Sequence, residues 1–217
     1  MGMGIATPRP GPGSPVLKSD MSSGEEKAWN ILRGLEPEEV CRNALVAYEG
    51  GAYRLRSLGM DFSISTAEEA ITGLTPEARA VAGRLGYFFN HAALWYLASA
   101  KDIGLTGRLV RPTDLKGGHH FFQGTHELPL GRVAEKYASD REGFLARAAA
   151  LGGKPLGYGD ASAELVPFPR VPVTLILWLG DEEFEPRASM LLDSSAEMQM
   201  ALDIIWPTAM LCTLLML

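Results

Sequence analysis

The sequence predicts a single α+β domain over residues 22–217, in which helices pack on a mixed or antiparallel sheet. A β-type apolar run at residues 171–179 is followed by a short acidic loop and by a second apolar segment at residues 188–192. A stretch at about residues 76–100 has helical periodicity and is apolar on most sides. Because the strands come as hairpins and the helices come in separate runs, the pattern favours an α+β class over regular βαβ units.

The run at residues 171–179 is predicted to be an interior strand. Its side chains alternate between two faces, and both faces are largely apolar. A strand with one face in water would carry a polar residue at every second position, so we expect both faces of this one to be covered. After the returning segment, Ser194 and Glu197 form a capping-box pattern that predicts the start of a helix.

The N-terminal third of the chain is predicted to contain a tail, two helices and two strands. Residues 1–21 are rich in proline and glycine, so we predict a disordered tail. Helices are predicted at about residues 22–33, after a capping-box pattern, and 37–49, and glycines follow both. Residues 53–58 and 60–65 are predicted to be short strands on either side of a glycine.

The helix predicted at residues 76–100 is expected to be the central one and to pack across the sheet. A helix that is apolar on most sides belongs in the middle of a core, and Leu85 and Phe89 are among its predicted core residues. His91 lies in the same apolar half. There we expect a core histidine with a hydrogen-bond partner rather than a ligand-binding residue.

The C-terminal half is predicted to contain further helices. Short helices are predicted at residues 130–137 and after a capping-box pattern formed by Ser139 and Glu142. The last segment, residues 204–217, is apolar at nearly every position, but it is shorter than the roughly 20 residues that a membrane-spanning helix needs. We therefore expect a buried terminal helix, with a helix that forms a homo-oligomer or binds another partner as the alternative.

Composition excludes several classes of partner. The net charge is −6 and the isoelectric point is about 5.3, and no cluster of lysine and arginine appears. Nucleic-acid binding and binding to anionic membranes both depend on such clusters, so neither partner is expected. Cys41 and Cys212 are too few for a disulfide framework, which predicts reduced thiols in a cytoplasmic protein.

A histidine-rich loop is the first candidate site. Three of the four histidines fall within eight residues, and neutral imidazole is a common ligand of metals and haem-type iron. Adjacent His119 and His120 cannot both face one ion without a turn, so His120 and His126 are the better pair. With Phe122 and Trp178, they are the candidate cofactor-binding residues. The alternative is a glycine-rich loop whose histidines only form hydrogen bonds.

An acidic loop at the end of the interior strand is the second candidate site. Asp181, Glu182 and Glu183 follow one another, and carboxylates at a strand end can serve as general acids or as ligands of hard metals. Because successive side chains diverge, two of them at most can serve one ion. Asp181 and Glu182, together with His120 and His126, are therefore the candidate metal ligands. The alternative is a solvated turn.

Two motifs resemble a known family. They are LILWLGDEEFEPRASMLLDSS at residues 175–195 and LTGRLVRPTDLKGGHHFFQGTHELPL at residues 105–130. The chain resembles, from about residue 53 to its C-terminus, an uncharacterised family of anaerobic bacteria and archaea, the domain of unknown function numbered 3786. Two departures from that pattern are Glu185, between Phe184 and Pro186, and Leu192 in place of a phenylalanine. The resemblance implies no established activity and no catalytic residues.

Two classes of function are consistent with these features. The first is a cytoplasmic binding or accessory protein of anaerobic metabolism, which handles a tetrapyrrole, a metal or another small molecule in an apolar pocket. The alternative is a metal-dependent enzyme that uses residues 119–126 and the acidic residues 181–183. In either case we expect the loops at residues 117–126 and 180–186 to form the rim of one pocket, with a carboxylate beside a histidine.

Overall fold

The computed structural model describes residues 23–217. In this part of the chain, eight α-helices surround nine β-strands that form two antiparallel sheets. The helices are α1 (Ser23–Arg33), α2 (Pro37–Ala44), α3 (Pro76–Ser99), α4 (Gly118–Phe121), α5 (Leu130–Lys136), α6 (Arg141–Ala150), α7 (Ala196–Gln199) and α8 (Leu202–Met216). The strands are β1 (Ala47–Glu49), β2 (Ala52–Ser57), β3 (Met60–Ser65), β4 (Ala70–Gly73), β5 (Leu109–Val110), β6 (Lys154–Leu156), β7 (Ala161–Phe168), β8 (Val171–Trp178) and β9 (Arg187–Asp193). The α+β class is confirmed. The tail predicted at residues 1–21 and the capping residue Ser22 lie outside the described residues.

The first sheet has the order β1-β2-β3-β4, so each strand pairs with the next one along the chain. The predicted strands around Gly59 are confirmed as a hairpin, in which Ser57 pairs with Met60. Leu58 and Gly59 form the two-residue turn and both have positive φ. Turns of this geometry match the twist of the paired strands.

Strand β1 contradicts the prediction of one helix from residue 37 to residue 49. Helix α2 ends at Ala44, because Leu45 has a left-handed backbone with φ 53° and its N–H bonds to the carbonyl of Cys41. The chain then runs as a strand to the turn at Gly50 and Gly51. The three- and four-residue spacing of apolar residues in this region was compatible with a helix, but the end of α2 is set by a backbone conformation that the spacing does not reveal.

The second sheet has the order β5-β9-β8-β7-β6, so β8 is an interior strand as predicted. Its first seven residues are all buried. Pro169 and Arg170 form the short turn between β7 and β8, since Phe168 pairs with Val171. The prediction of a single sheet is wrong. Both sets of strands have similar hairpin patterns, and the long helix α3 lies between the two sets in sequence.

Helix α3 confirms the predicted central helix; it packs mainly on the first sheet, and it reaches the sheet that contains β8 through Tyr96, whose ring stacks on Phe168 of β7 at 4.7 Å between centroids. It contacts β3, β4, α1 and α8. The side chain of Thr75 caps its first turn by accepting a hydrogen bond from the N–H of Ala78. The helix is kinked at Leu85, whose φ and ψ are −119° and 18°, and glycines at positions 83 and 86 flank this residue.

A continuous hydrophobic core joins the two sheets. The backbone N–H of Leu58, in the first sheet, donates to the carbonyl of Val166 in the second. The buried guanidinium of Arg170 donates to the carbonyls of Arg42, Asn43 and Ile103 and to the carboxylate of Asp102. These bonds hold the β7–β8 turn to the end of α2 and to the segment after α3.

Helix α8 confirms the predicted burial of the C-terminal segment. Ten of its fifteen residues are buried, and it packs mainly against α3. Among residues 23–217, no helix combines the length and the apolar character that crossing a membrane requires. Pro207 lies inside the helix, where its ring leaves the carbonyl of Asp203 without the usual helical donor.

Two of the predicted helix caps are wrong. Helix α6 is capped by Asp140, whose side chain accepts from the N–H of Gly143, and not by Ser139. The carboxylate of Glu197 accepts from the backbone N–H of Lys116 instead of closing a capping box. Both sites contain several residues with capping side chains, so the spacing alone did not distinguish among them.

Candidate functional site

The structure distributes the predicted site residues over three cavities that share no lining residue. His126 lines one of these cavities, Phe122 a second, and Trp178 and Asp181 the third. None of these three cavities, which residues 23–217 form, is lined by both the loop at residues 117–126 and the loop at residues 180–186. Among residues 23–217, no group of three or more histidine, cysteine, aspartate and glutamate side chains could hold a metal ion.

The two candidate histidines lie in different environments. His120 belongs to the short helix α4 and is exposed, with its ring 5.3 Å from that of His119. His126 ends a 3₁₀ turn that spans Gly124–His126 and is half-buried. Its ring stacks on Phe121 at 4.5 Å between centroids and meets Trp206 edge-on at 5.0 Å. The structure therefore sets His126 apart from the other two histidines of the loop.

The acidic loop is stabilised by its own backbone. One carboxylate oxygen of Asp181 accepts from the N–H groups of Glu183 and Phe184, at 2.8 and 2.7 Å. Glu182 is exposed and lines none of the three cavities. Trp178 is already covered on one face by the guanidinium of Arg187, 4.3 Å from the ring centroid. These contacts are those of a solvated turn.

The cavity at His126 is lined by two histidines, an aspartate and a tryptophan, which are side chains that can form hydrogen bonds with a ligand. It has a volume of about 220 Å³, and both aromatic and ionisable side chains line it. We call it the aromatic cleft; it is lined by Tyr87, His91, Phe121, His126, Asp203, Trp206 and Pro207.

Three segments that are distant in sequence form the aromatic cleft. Tyr87 and His91 stand four residues apart on α3, which places them on the same side of that helix. Asp203 and Trp206 are three residues apart on α8, which packs against α3. The segment that carries Phe121 and His126 lies across both helices and closes the cleft.

Burial tunes the charge state of the cleft. Burial lowers the pKa of His91, and the negative charge of Asp203 opposes this effect. His91 is therefore a neutral imidazole at pH 7, able to donate from one ring nitrogen and accept at the other. The structure gives His91 no hydrogen-bond partner within residues 23–217, contrary to the expectation that it is a core histidine with such a partner.

Trp206 contributes a free hydrogen-bond donor. Its Nε1–H is buried and has no acceptor among the described residues, although the ring itself contacts Phe88 and His126 edge-on. An unpaired buried donor costs about 1–3 kcal/mol, so nearly all such groups in proteins have a partner. Trp206 also lines the aromatic cleft, so this unpaired donor belongs to a side chain that a bound molecule would contact.

Comparison with protein families identifies a match to a domain of unknown function, DUF3786, over residues 36–215. The chain belongs to this family. Comparisons with curated proteins and with solved structures found no match.

The family match includes every residue that lines the aromatic cleft, whereas all of α1 precedes it. It also begins well before residue 53, where the resemblance seen in the sequence motifs starts. The description of this family names no activity, so the function of the chain has to be argued from its own side chains.

Sequence reasoning missed most of the aromatic cleft. Tyr87 and Trp206 lie in segments predicted as apolar helices, Asp203 directly precedes the predicted terminal helix, and His91 is predicted as a core residue. One signal was available in hindsight: Asp203, Trp206 and Pro207 interrupt an otherwise apolar terminal segment with a charge, an indole and a helix-breaking ring. That signal does not say which side chains on other elements face them.

Proposed function

We propose that this protein binds a small planar organic ligand in the aromatic cleft and acts as a binding or accessory protein. The observation that carries the proposal is the buried Nε1–H of Trp206, which has no acceptor among residues 23–217. A ligand that offers an acceptor to this donor removes an energetic penalty of about 1–3 kcal/mol as it binds.

The dimensions of the cleft support a ligand of one or two fused rings. A volume of about 220 Å³ equals the share of roughly seven molecules of liquid water. The rings of Phe121, His126 and Trp206 form flat walls, and flat aromatic groups bind well to such walls by stacked or edge-on contact.

The polar groups support a nitrogen heterocycle. Trp206 can only donate, Asp203 can only accept when ionised, and neutral His91 can do both. A neutral heterocycle that has a ring nitrogen as acceptor and an N–H as donor can form hydrogen bonds with these three side chains.

The ligand classes expected from the sequence fit this cleft less well. A tetrapyrrole macrocycle is much larger than the cleft, and the described residues contain no group of three or more side chains suited to a metal. We therefore favour the heterocycle over tetrapyrrole or metal handling. Location in the cytoplasm and a role in anaerobic metabolism, which the family resemblance and the two free cysteines suggest, belong to the same proposal.

Calorimetric titration of the full chain with purine, quinoline, haemin and Zn²⁺ tests the proposal. We expect purine or quinoline to bind saturably, and at least about tenfold more weakly to Trp206→Phe, which keeps a flat ring but lacks the N–H. Trp95→Phe is the matched control, because Trp95 also has a buried unpaired Nε1–H but does not line the cleft.

Each alternative has a distinct outcome in this titration. Failure of both heterocycles to bind, or an equal loss in both tryptophan variants, would refute the proposal. A Soret-type absorption band with haemin would favour the tetrapyrrole. Stoichiometric Zn²⁺ binding without such a band would favour the metal-dependent enzyme.

A further inference from the structure

A second cleft lies where the β2–β3 turn, the first turns of α3, the end of α6 and the end of α8 meet, and it shares no residue with the aromatic cleft. Its volume is about 560 Å³. We call it the arginine cleft; it is lined by Gly59, Met60, Thr75, Glu77, Ala80, Val81, Arg84, Arg147, Ala150, Leu151 and Leu215.

Arg147 is held in position by the C-terminal helix. This half-buried residue lies on α6, and its Nε–H donates to the carbonyl of Leu215 at 2.6 Å. The two terminal nitrogens of its guanidinium have no hydrogen-bond or ion-pair partner among residues 23–217. One edge of the guanidinium is thus anchored while four N–H groups are available to a ligand.

Arg84 contributes a second guanidinium to the same cleft. It is exposed and has neither a hydrogen bond nor an ion pair within the described part of the chain. It immediately precedes Leu85, the residue at which α3 is kinked. Kinks of this kind change the direction in which neighbouring side chains leave a helix.

Glu77 does not neutralise the two arginines. Its carboxylate accepts hydrogen bonds from its own backbone N–H and from the Thr75 side chain, and these bonds lower its pKa. No ion pair joins Glu77 to either Arg84 or Arg147. Two guanidinium groups and one carboxylate leave the lining of the cleft with a net positive charge, in a chain whose net charge is −6.

The floor of the arginine cleft is apolar. Val81, Leu151 and Leu215 are buried, and Met60 is half-buried beside them. The wall next to this floor is rigid, because the β2–β3 turn and the end of α6 touch through two glycines: a Cβ on Gly152 would lie 2.8 Å from the Cα of Gly59.

We propose that the arginine cleft binds an organic carboxylate with a short apolar body. The planar fork of a guanidinium matches the two oxygens of a carboxylate, and two such groups are available. The apolar floor receives the rest of the molecule, with a gain of about 25 cal/mol for each Å² of apolar surface removed from water. Inorganic phosphate has the charge but no apolar body, and a neutral amide has the body but no charge.

Calorimetric titration of the full chain with octanoate, octanamide and inorganic phosphate tests this assignment. We expect octanoate to bind saturably, and octanamide and phosphate to bind at least about tenfold more weakly. Arg84→Gln should weaken octanoate binding at least about tenfold, and the exposure of Arg84 means that this variant keeps the fold. Arg132→Gln, another exposed arginine without a partner in residues 23–217, is the matched control and should bind octanoate normally.

A second variant tests the contribution of the anchored arginine, Arg147. Arg147→Gln should also weaken octanoate binding at least about tenfold, with its folded state checked by circular dichroism. The assignment would be overturned if octanoate does not bind, if phosphate or octanamide binds as tightly as octanoate, or if Arg132→Gln loses as much affinity as Arg84→Gln. None of these outcomes depends on the aromatic cleft.

Discussion

Replacement of Asp193 by asparagine should remove a large part of the acid sensitivity of this protein. Asp193 ends β9 and is buried, with 3% of its surface exposed. Its carboxylate accepts five hydrogen bonds, from the N–H and hydroxyl of Thr106, from the N–H of Gly107, and from the N–H and hydroxyl of Ser195. These bonds fasten the segment after α3 to the second sheet.

The magnitude follows from the pKa of this carboxyl. Burial raises the pKa of Asp193, but the hydrogen bonds from Ser195 and Thr106 outweigh burial and bring it from 3.8 to about 2. A carboxyl with a lowered folded-state pKa contributes stability that is present above its unfolded pKa and is lost as the pH falls through its folded pKa. The difference between a pKa of 3.8 and one of about 2 corresponds to about 2 kcal/mol of stability, which is lost between about pH 5 and about pH 2.

Urea unfolding of both proteins across this pH range measures the effect. At neutral pH, Asp193→Asn should be less stable by about 2–4 kcal/mol, because an amide nitrogen replaces an acceptor that faces buried N–H donors. Towards about pH 2 the free-energy difference between the two proteins should shrink by about 2 kcal/mol. A difference that stays constant over the whole range would refute the assignment of this carboxylate as a native-state anion.

Three further substitutions test the packing. Phe89→Ala should lower the free energy of unfolding in urea by about 3–5 kcal/mol, since Phe89 is buried with its ring 4.1 Å from that of Phe62. Leu85→Ala should cost less, because Leu85 is half-buried at the kink. Equal costs for the two variants would contradict this packing. Tyr96→Phe should cost about 1–3 kcal/mol, because the Tyr96 hydroxyl donates to the carbonyl of Ala44 and accepts from the N–H of Arg170; an unchanged unfolding midpoint would show that neither bond matters. Gly152→Ala should lower the thermal midpoint through its close approach to Gly59 and its φ of 71°, whereas Gly157→Ala, in open space, should not.

Several elements could be predicted from the sequence because a local signal decides them. The interior position of β8 follows from apolar side chains on both of its faces, because a strand with one face in water would carry polar residues on that face. Helix α3 starts where Thr75 and Pro76 satisfy the requirements of a first turn. The burial of α8 follows from a segment that is apolar but too short to span a membrane.

Other features depend on contacts between segments far apart in the chain. The division into two sheets is one of them, since hairpin signals are the same in either sheet and say nothing about which hairpins meet. The identity of the site is another. The sequence singled out His126 for its residue type and its neighbours, but His91, Asp203 and Trp206 join it only because α3 packs against α8.

The sequence by itself determined the class of the fold, its central helix and its most buried strand, because these depend on the periodicity of apolar side chains over a few turns or a few residue pairs. Only the tertiary structure decided which polar groups share a cavity. Such a group is recognised by what surrounds it, as with the unpaired indole N–H of Trp206 or the half-anchored guanidinium of Arg147, and those surroundings come from residues up to about 120 positions away in the chain.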